Sequence, residues 1–393
     1  MVKIIIPKLR FKEFKDNWKY YTFEEIISSK SNTYNPQKNM KDYKCIELEH
    51  INQEDGTING YTSSKEQKSS KNFFSEGSIL FGKLRPYLKK YWLASFSGVC
   101  SSEILVLNSK DIEIINNKFI FYLVQIHYFI ELCKLSTGSK MPRADWSYIK
   151  EQSIAIPTVE EQEKISKMLS LLDKKIELQK QKIEALKLYK KGLRQNLFVN
   201  IKNSTNSFTT QINTFLKERK TYSEKTTINN QYESISSTKE GLFLQKEYFN
   251  RSIASENNIG YKILKINQVV LSPQNLWMGN INYNDKYEIG IVSPSYKIFN
   301  INNEFNKYYI FNLLKSEKAL YYYTISSEQG ASIVRRNLNI EAFEEITFNI
   351  PDRKTQNIIG MNIKLIDFKI KLNENKFNYL YNYKKSLLQQ MFI

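Results

Sequence analysis

The sequence predicts an α+β chain built twice over: two α/β globules joined by two long antiparallel coiled-coil helices, with a pseudo-two-fold internal repeat. Three observations carry that prediction. The stretch 157–198 matches 351–392 without a gap at an offset of 194. Each of those stretches holds a heptad seam. The 393 residues are 41% hydrophobic and 13% aromatic, enough to bury real cores, and too long for one small domain.

The repeat orders the chain. Gln162 meets Gln356, Ile165 meets Ile359, Asp173 meets Asp367, and Tyr189-Lys190-Lys191 meets Tyr383-Lys384-Lys385. Upstream the match loosens: Gly98-Val99-Cys100-Ser101 pairs with Gly290-Ile291-Val292-Ser293, Asn117-Lys118-Phe119 with Asn306-Lys307-Tyr308, and Gly138 with Gly330. Surface insertions between otherwise matching scaffolds explain the drift. The expected order is a first globule over 1–158, a helix over 159–198, a second globule over 199–351 and a helix over 352–393.

Each helix follows a proline, Pro157 or Pro351, and has none inside. Its apolar residues step by four and three: Ile165, Leu169, Leu172, Ile176, Ile183 and Leu186 in the first copy, and Ile359, Ile363, Ile366, Ile370, Phe377 and Leu380 in the second. The polar exceptions fall at matching places, Gln179 and Lys190 against Asn373 and Lys384. A polar seam residue costs stability and sets register. About 40 residues at ~1.5 Å each make a rod of roughly 60 Å. The first helix delivers the chain to the second globule and the second helix starts there, so matched seams pair antiparallel.

The formal net charge is +18, and both globules and both helices are net positive. Such an excess selects an anionic partner, nucleic acid or an acidic surface. No apolar run approaches the length of a membrane span; the longest lies near Phe119–Val124. Met1–Pro7 lacks the length of a signal-peptide core. Cys45, Cys100 and Cys133 form no CxxC and read as small buried residues in a reducing compartment. A cytoplasmic protein is expected.

Enzymatic patterns are few and incomplete. Gly77–Lys83 has phosphate-loop spacing, but Leu84 stands where Ser or Thr must hold magnesium, and Ile79-Leu80-Phe81 reads as buried strand. Asp352, Asp367 and Lys369 imitate a nuclease pattern, yet helical residues two apart do not converge. Ser293-Pro294-Ser295-Tyr296 lacks the second proline of an amino-methyltransferase tetrapeptide, and no GxG occurs among the thirteen glycines. His50 and His127 stand apart without metal-site spacing. No catalytic, cofactor or metal residue is assigned.

The candidate binding residues are Lys83, Arg85, Tyr87 and Lys89 in one basic, aromatic segment, with Lys140 and Arg143 in a second. The matching places in the other copy hold Gln274 and Trp277, then Arg335 and Arg336. Arg and Lys bind phosphate or guanine edges, and Gln suits adenine. A similar scaffold with different polar chemistry favours two different recognition surfaces.

Further motifs fix the resemblance: Pro7-Lys8-Leu9-Arg10-Phe11 with Asn17-Trp18; Gly77–Tyr87 with Gly98–Glu103; Ile156-Pro157 through Glu161-Gln162-Glu163-Lys164-Ile165; and Tyr248-Phe249-Asn250 with Gly290–Tyr296. In this order along essentially the whole chain, they resemble the specificity (S) subunit of type I restriction–modification systems. The second copy departs at Asp352-Arg353-Lys354-Thr355-Gln356, keeping the glutamine without the preceding glutamate. The resemblance implies two target-recognition domains, each reading half of a bipartite double-stranded DNA target, with the helices as spacer. It implies two methylase (M) subunits binding S-adenosylmethionine, and motor-nuclease (R) subunits using ATP and Mg, with no cofactor on this chain and no membrane. Two alternatives stay open. One is the specificity subunit of a type II-like fused methylase-nuclease system, which neighbouring open reading frames distinguish. The other is a non-enzymatic coiled-coil adaptor, which predicts no discrimination between DNA sequences.

Overall fold

The computed structural model describes residues 6–39, 41–135, 142–199, 207–219, 225–248, 257–332 and 335–392. Two compact units emerge, one of Met1–Lys180 with Asn375–Ile393, the other of Gln181–Glu374. Each takes a globule and part of both long helices, which run Val159–Val199 and Arg353–Met391.

In the first unit, Lys19–Thr22 enters the globule and pairs antiparallel with Ser153–Ile156, the strand that leads into the long helix. A four-stranded sheet follows in the order Ile27–Ser28, Ile104–Ser109, Ile79–Gly82, Tyr91–Leu93. The second unit repeats this plan. Ser207–Gln211 pairs with Thr347–Pro351, and its sheet runs Leu216–Glu218, Lys297–Ile301, Gln268–Leu271, Ile281–Tyr283.

Both sheets are buried on both faces, which is why their strands read as continuous apolar runs. Ile79, Phe81, Leu105 and Leu107 face the helical core, while Leu80, Ile104 and Val106 face a second cluster. In the other unit Val269, Leu271, Phe299 and Ile301 divide from Val270 and Ile298 in the same way. The alternation follows from the two-residue strand period. The three cysteines are buried, and burial raises each thiol, Cys45 to about 11.

The loosely matched glycines have a shared cause. Cys45–Ile46 runs parallel to Val99–Cys100, and Ser234 bridges Ile291 in the same sense. A Cβ on Gly98 would lie 2.5 Å from the Lys44 carbonyl oxygen, and one on Gly290 would strike Ile235. Since the first obstacle is backbone, Gly98→Ala is expected to cost about 1–3 kcal/mol as overpacking does. Urea denaturation checks this as a lower midpoint at constant slope.

Each long helix is locked to its globule by one glutamine. Gln162 Nε2 donates to the Pro157 and Ile114 carbonyls, and its Oε1 accepts from the Asn116 amide. Gln356 donates to Pro351 O and accepts from the Asn306 amide. Glu161, which the second copy lacks, is not a cap. It takes a two-pronged ion pair from Arg10, at 2.8 and 2.7 Å, and is 1% exposed. In the second copy Asp352 caps the helix, accepting from the Thr355 amide at 2.9 Å.

The two seam lysines find carboxylates. In the first unit Lys384 Nζ lies 2.6 Å from Asp173, which also accepts the Tyr122 hydroxyl at 2.9 Å. In the second unit Lys190 pairs with Asp367, and Lys187 lies 3.2 Å from Glu374. Numbers rise along one helix as they fall along the other, so the helices pair antiparallel. Asp173 and Asp367 match each other at the same offset as Lys190 and Lys384. One exchange of partners is therefore made twice. Seam residues Ile165, Leu169, Ile183, Ile359, Ile363, Ile366 and Leu380 are buried, and Leu172, Ile176, Leu186, Ile370 and Phe377 half-buried. Phe392, at the far end of the second helix, stacks on Phe119 in the first unit's core.

Candidate nucleic-acid interface

The candidate residues sit on the hairpin loop between the last two strands of each four-stranded sheet. In the first unit the loop 83–90 turns through Pro86–Leu88, with Arg85 and Lys89 both at positive φ, 52° and 48°. In the second, residues 272–280 turn through Leu276–Met278, closed by Gly279 at φ 89°. The two turns are closed alike, by Lys89 N–H to Pro86 O and by Gly279 N–H to Leu276 O. A lysine held where glycine serves elsewhere is a local strain.

The distant second segment joins each loop. Arg85 N–H donates to Pro142 O, Ala144 N–H donates to Lys83 O, and Leu84 bridges Arg143. In the second unit Arg336 N–H reaches Gln274 O at 3.3 Å. Each return segment precedes the short helix and strand that lead into a long helix, Trp146–Ile149 and Ser153–Ile156 in one unit, Ile340–Glu344 and Thr347–Pro351 in the other. The same two pieces of chain meet in both units.

What they present differs. Arg85 and Tyr87 are exposed. Arg143 is half exposed and held by Glu103 at 2.5 Å. Lys83 donates to Ser102 O at 2.7 Å, and burial lowers its pKa. Lys89 turns elsewhere: it lies 3.5 Å from Glu54 and lines a cavity of about 610 Å³ with Tyr91, Tyr122 and residues of both long helices. Neither Arg143 nor Arg85 lines that cavity. Lys140 and the rest of 136–141 lie outside the described residues.

In the second unit Gln274 is exposed, and the Arg336 guanidinium lies 6.0 Å from the centre of the Trp277 ring. Arg336 Nη2 donates to Ser327 O at 3.1 Å, while its buried Nε has no partner among the described residues. Arg335 lies beside it in the strand Arg335–Leu338, its side chain outside the described residues, as are Phe249 and Asn250. One face thus offers guanidinium and phenol, the other amide, indole and guanidinium. The buried strand Ile79–Gly82 removes the phosphate-loop pattern, and Asp367 of the nuclease-like pattern serves the seam.

Sequence reading missed Glu103, the Arg10–Glu161 pair and the glutamine locks. The aligned Gln162 and Gln356 were the available signal; nothing local marks Glu103 as a partner 40 residues from Arg143.

Known proteins resemble this chain in both sequence and fold. A family described as the type I restriction modification DNA specificity domain matches residues 15–188. The specificity subunit of the type I restriction enzyme EcoDI of Escherichia coli is 28% identical over 163 residues, 40% of this chain and 35% of that protein's length. The type I restriction–modification S subunit of M. genitalium aligns over 99% of both chains with a TM-score of 0.58 at 16% identity. A structure from work on complex assembly and conformational transition of the type I R-M system aligns over 95% of this chain and 97% of its own, with a TM-score of 0.60 at 13% identity. The structural likeness extends the fold to the whole chain, and the sequence match covers both loop segments of the first unit. Residues 15–188 are thus similar in sequence to the type I restriction modification DNA specificity domain, and the chain as a whole is similar in fold to the S subunit.

Proposed function

We propose that this chain is the sequence-specific DNA-recognition subunit of a type I restriction–modification complex in the cytoplasm. Each unit reads one half of a bipartite duplex, the first through Arg85, Tyr87, Lys83 and Arg143 with Lys140, the second through Gln274, Trp277, Arg335 and Arg336. The helix pair sets the unread gap and docks two methylase subunits. This chain carries out no bond chemistry in that assembly. S-adenosylmethionine belongs to the methylases, and ATP with Mg to the motor-nuclease subunits.

One observation carries the reading: a corresponding loop and return segment, hydrogen-bonded to each other in both units, display different donors and acceptors. Phosphate binding alone would need only positive charge in both; reading two base sequences needs two patterns, because base edges differ in donors and acceptors. Base-resolution methylation mapping tests it, comparing cells carrying this gene and a neighbouring methylase with cells lacking only this gene. A split motif around a fixed gap, methylated only when the gene is present, is expected. Unchanged methylation with both proteins expressed would sink the proposal.

A further inference from the structure

The second unit contains a pocket of about 300 Å³ between the first long helix, the turn 239–241 and the segment after Ile281–Tyr283. Five cationic side chains line it, Lys190, Arg194, Lys239, Lys286 and Lys315, against the carboxylates Glu240 and Asp285. Lys190 is satisfied by Asp367. Arg194 and Lys315 are bonded only to neutral oxygens among the described residues. Arg194 donates through Nε and Nη2 to Asn312 Oδ1 at 2.9 and 2.6 Å, and Lys315 Nζ donates to Gly279 O at 2.8 Å and Lys239 O at 3.3 Å. Their desolvation is offset by carboxylates they do not bond, Asp367 near Arg194 and Glu240 near Lys315.

The repeat shows that the scaffold does not require these charges. The helix that begins after Asn306 matches the one after Asn116, which places Lys315 where the first unit has Gln125. The long-helix offset places Arg194 where the first unit has Leu388. Gln125 and Leu388 line the corresponding cavity of the first unit, beside a Lys384 that is likewise paired with an aspartate. The first unit's version is thus built with a neutral amide and an alkyl group. The second has added two cations, so that five cationic side chains face the two carboxylates Glu240 and Asp285. Burial first, then the neighbouring Arg194 and Lys190, holds Lys315 down at about 8, with Glu240 opposing.

We propose that this pocket binds a phosphate oxyanion, with Arg194 and Lys315 as its principal donors. Arg supplies a planar fork and Lys a point charge, a pairing suited to phosphate oxygens. Neither target sequence nor methylase is needed for such binding, so it stands or falls separately from the DNA-reading proposal.

The test is calorimetric titration of the full chain with inorganic pyrophosphate at low ionic strength. Saturable binding is expected, weakened at least tenfold in Arg194→Leu and in Lys315→Gln, which install the first unit's own residues. Lys191→Gln, an exposed lysine on the same helix, leaves it unchanged. Competition with a short duplex lacking any target identifies the source of the phosphate. Displacement of pyrophosphate assigns the site to the DNA backbone, and no displacement assigns it to a free polyphosphate. Where a variant does not fold, the wild type decides: pyrophosphate slows acetylation of Lys315 severalfold. Absence of saturable binding, or binding indifferent to both substitutions with Lys315 acetylation unaltered, overturns the proposal.

Discussion

Asp173→Ala is expected to destabilise the first unit by about 3 kcal/mol, because it strands a buried ammonium. The Lys384 side chain is only 9% exposed, and Asp173 also receives the Tyr122 hydroxyl, so two polar groups lose their acceptor together. For a unit of this size that loss corresponds to a fall of roughly 6–12 °C in melting temperature. The apolar replacement of both partners, Asp173→Leu with Lys384→Met, made in a Tyr122→Phe background so that no hydroxyl is stranded, is expected to lie within about 1 kcal/mol of that background, since buried pairs contribute little over well-packed apolar groups. Thermal unfolding followed by circular dichroism checks both. If Asp173→Ala melts with the wild type, solvent satisfies the lysine and the pair sets no register. If the double variant is the worse of the two, packing around the pair outweighs its charge. The same exchange between Lys190 and Asp367 makes the register argument: sliding one helix by a heptad separates both lysines from both carboxylates at once.

Under the DNA-reading proposal, Arg336→Ala and Trp277→Ala are each expected to weaken the second half-site by about ten- to hundredfold, the 1–3 kcal/mol range of one base-specific contact. Arg336 sits against Trp277 and donates to Ser327 O, so the guanidinium is preorganised and a single substitution disturbs both groups. Arg143→Ala and Arg85→Ala should act on the first half-site alone. Arg143 is held by Glu103 in the free protein, so DNA must displace or share that contact, and Glu103→Gln should strengthen binding modestly. Binding by the complex with its methylase, to duplexes altered in one half at a time, reads these effects. A substitution that merely contacts phosphate weakens all sequences alike and lowers the salt slope by about 1. Equal loss on both halves from any one variant would show that the loops do not divide the target.

Much of the architecture was legible because it repeats locally. The seam from Ile165 to Leu186 and from Ile359 to Leu380 follows from the heptad period, and the offset of 194 aligned Asp173 with Asp367 and Lys190 with Lys384. The buried strand at Ile79-Leu80-Phe81 was readable from its apolar run. The loops were readable as places, since Lys83–Lys89 and Gln274–Trp277 both follow such a strand. The direction of their side chains was not: Lys89 belongs to the basic segment in sequence and to the Glu54 cavity in space.

The sequence alone determined the twofold plan, the two long helices and the segments that carry the polar variation, because periodicity and self-similarity express backbone geometry within a few turns of chain. The tertiary structure alone decided the partners. Asp173 meets Lys384 across 211 positions of sequence, Arg10 meets Glu161 across 151, and Lys190 meets Asp367 across 177. It also decided that Arg194 and Lys315 share one pocket, each bonded to neutral oxygens, with Glu240 and Asp285 in the same lining. Such pairings depend on where distant segments are brought by the packing of both sheet faces, and no local pattern encodes that placement.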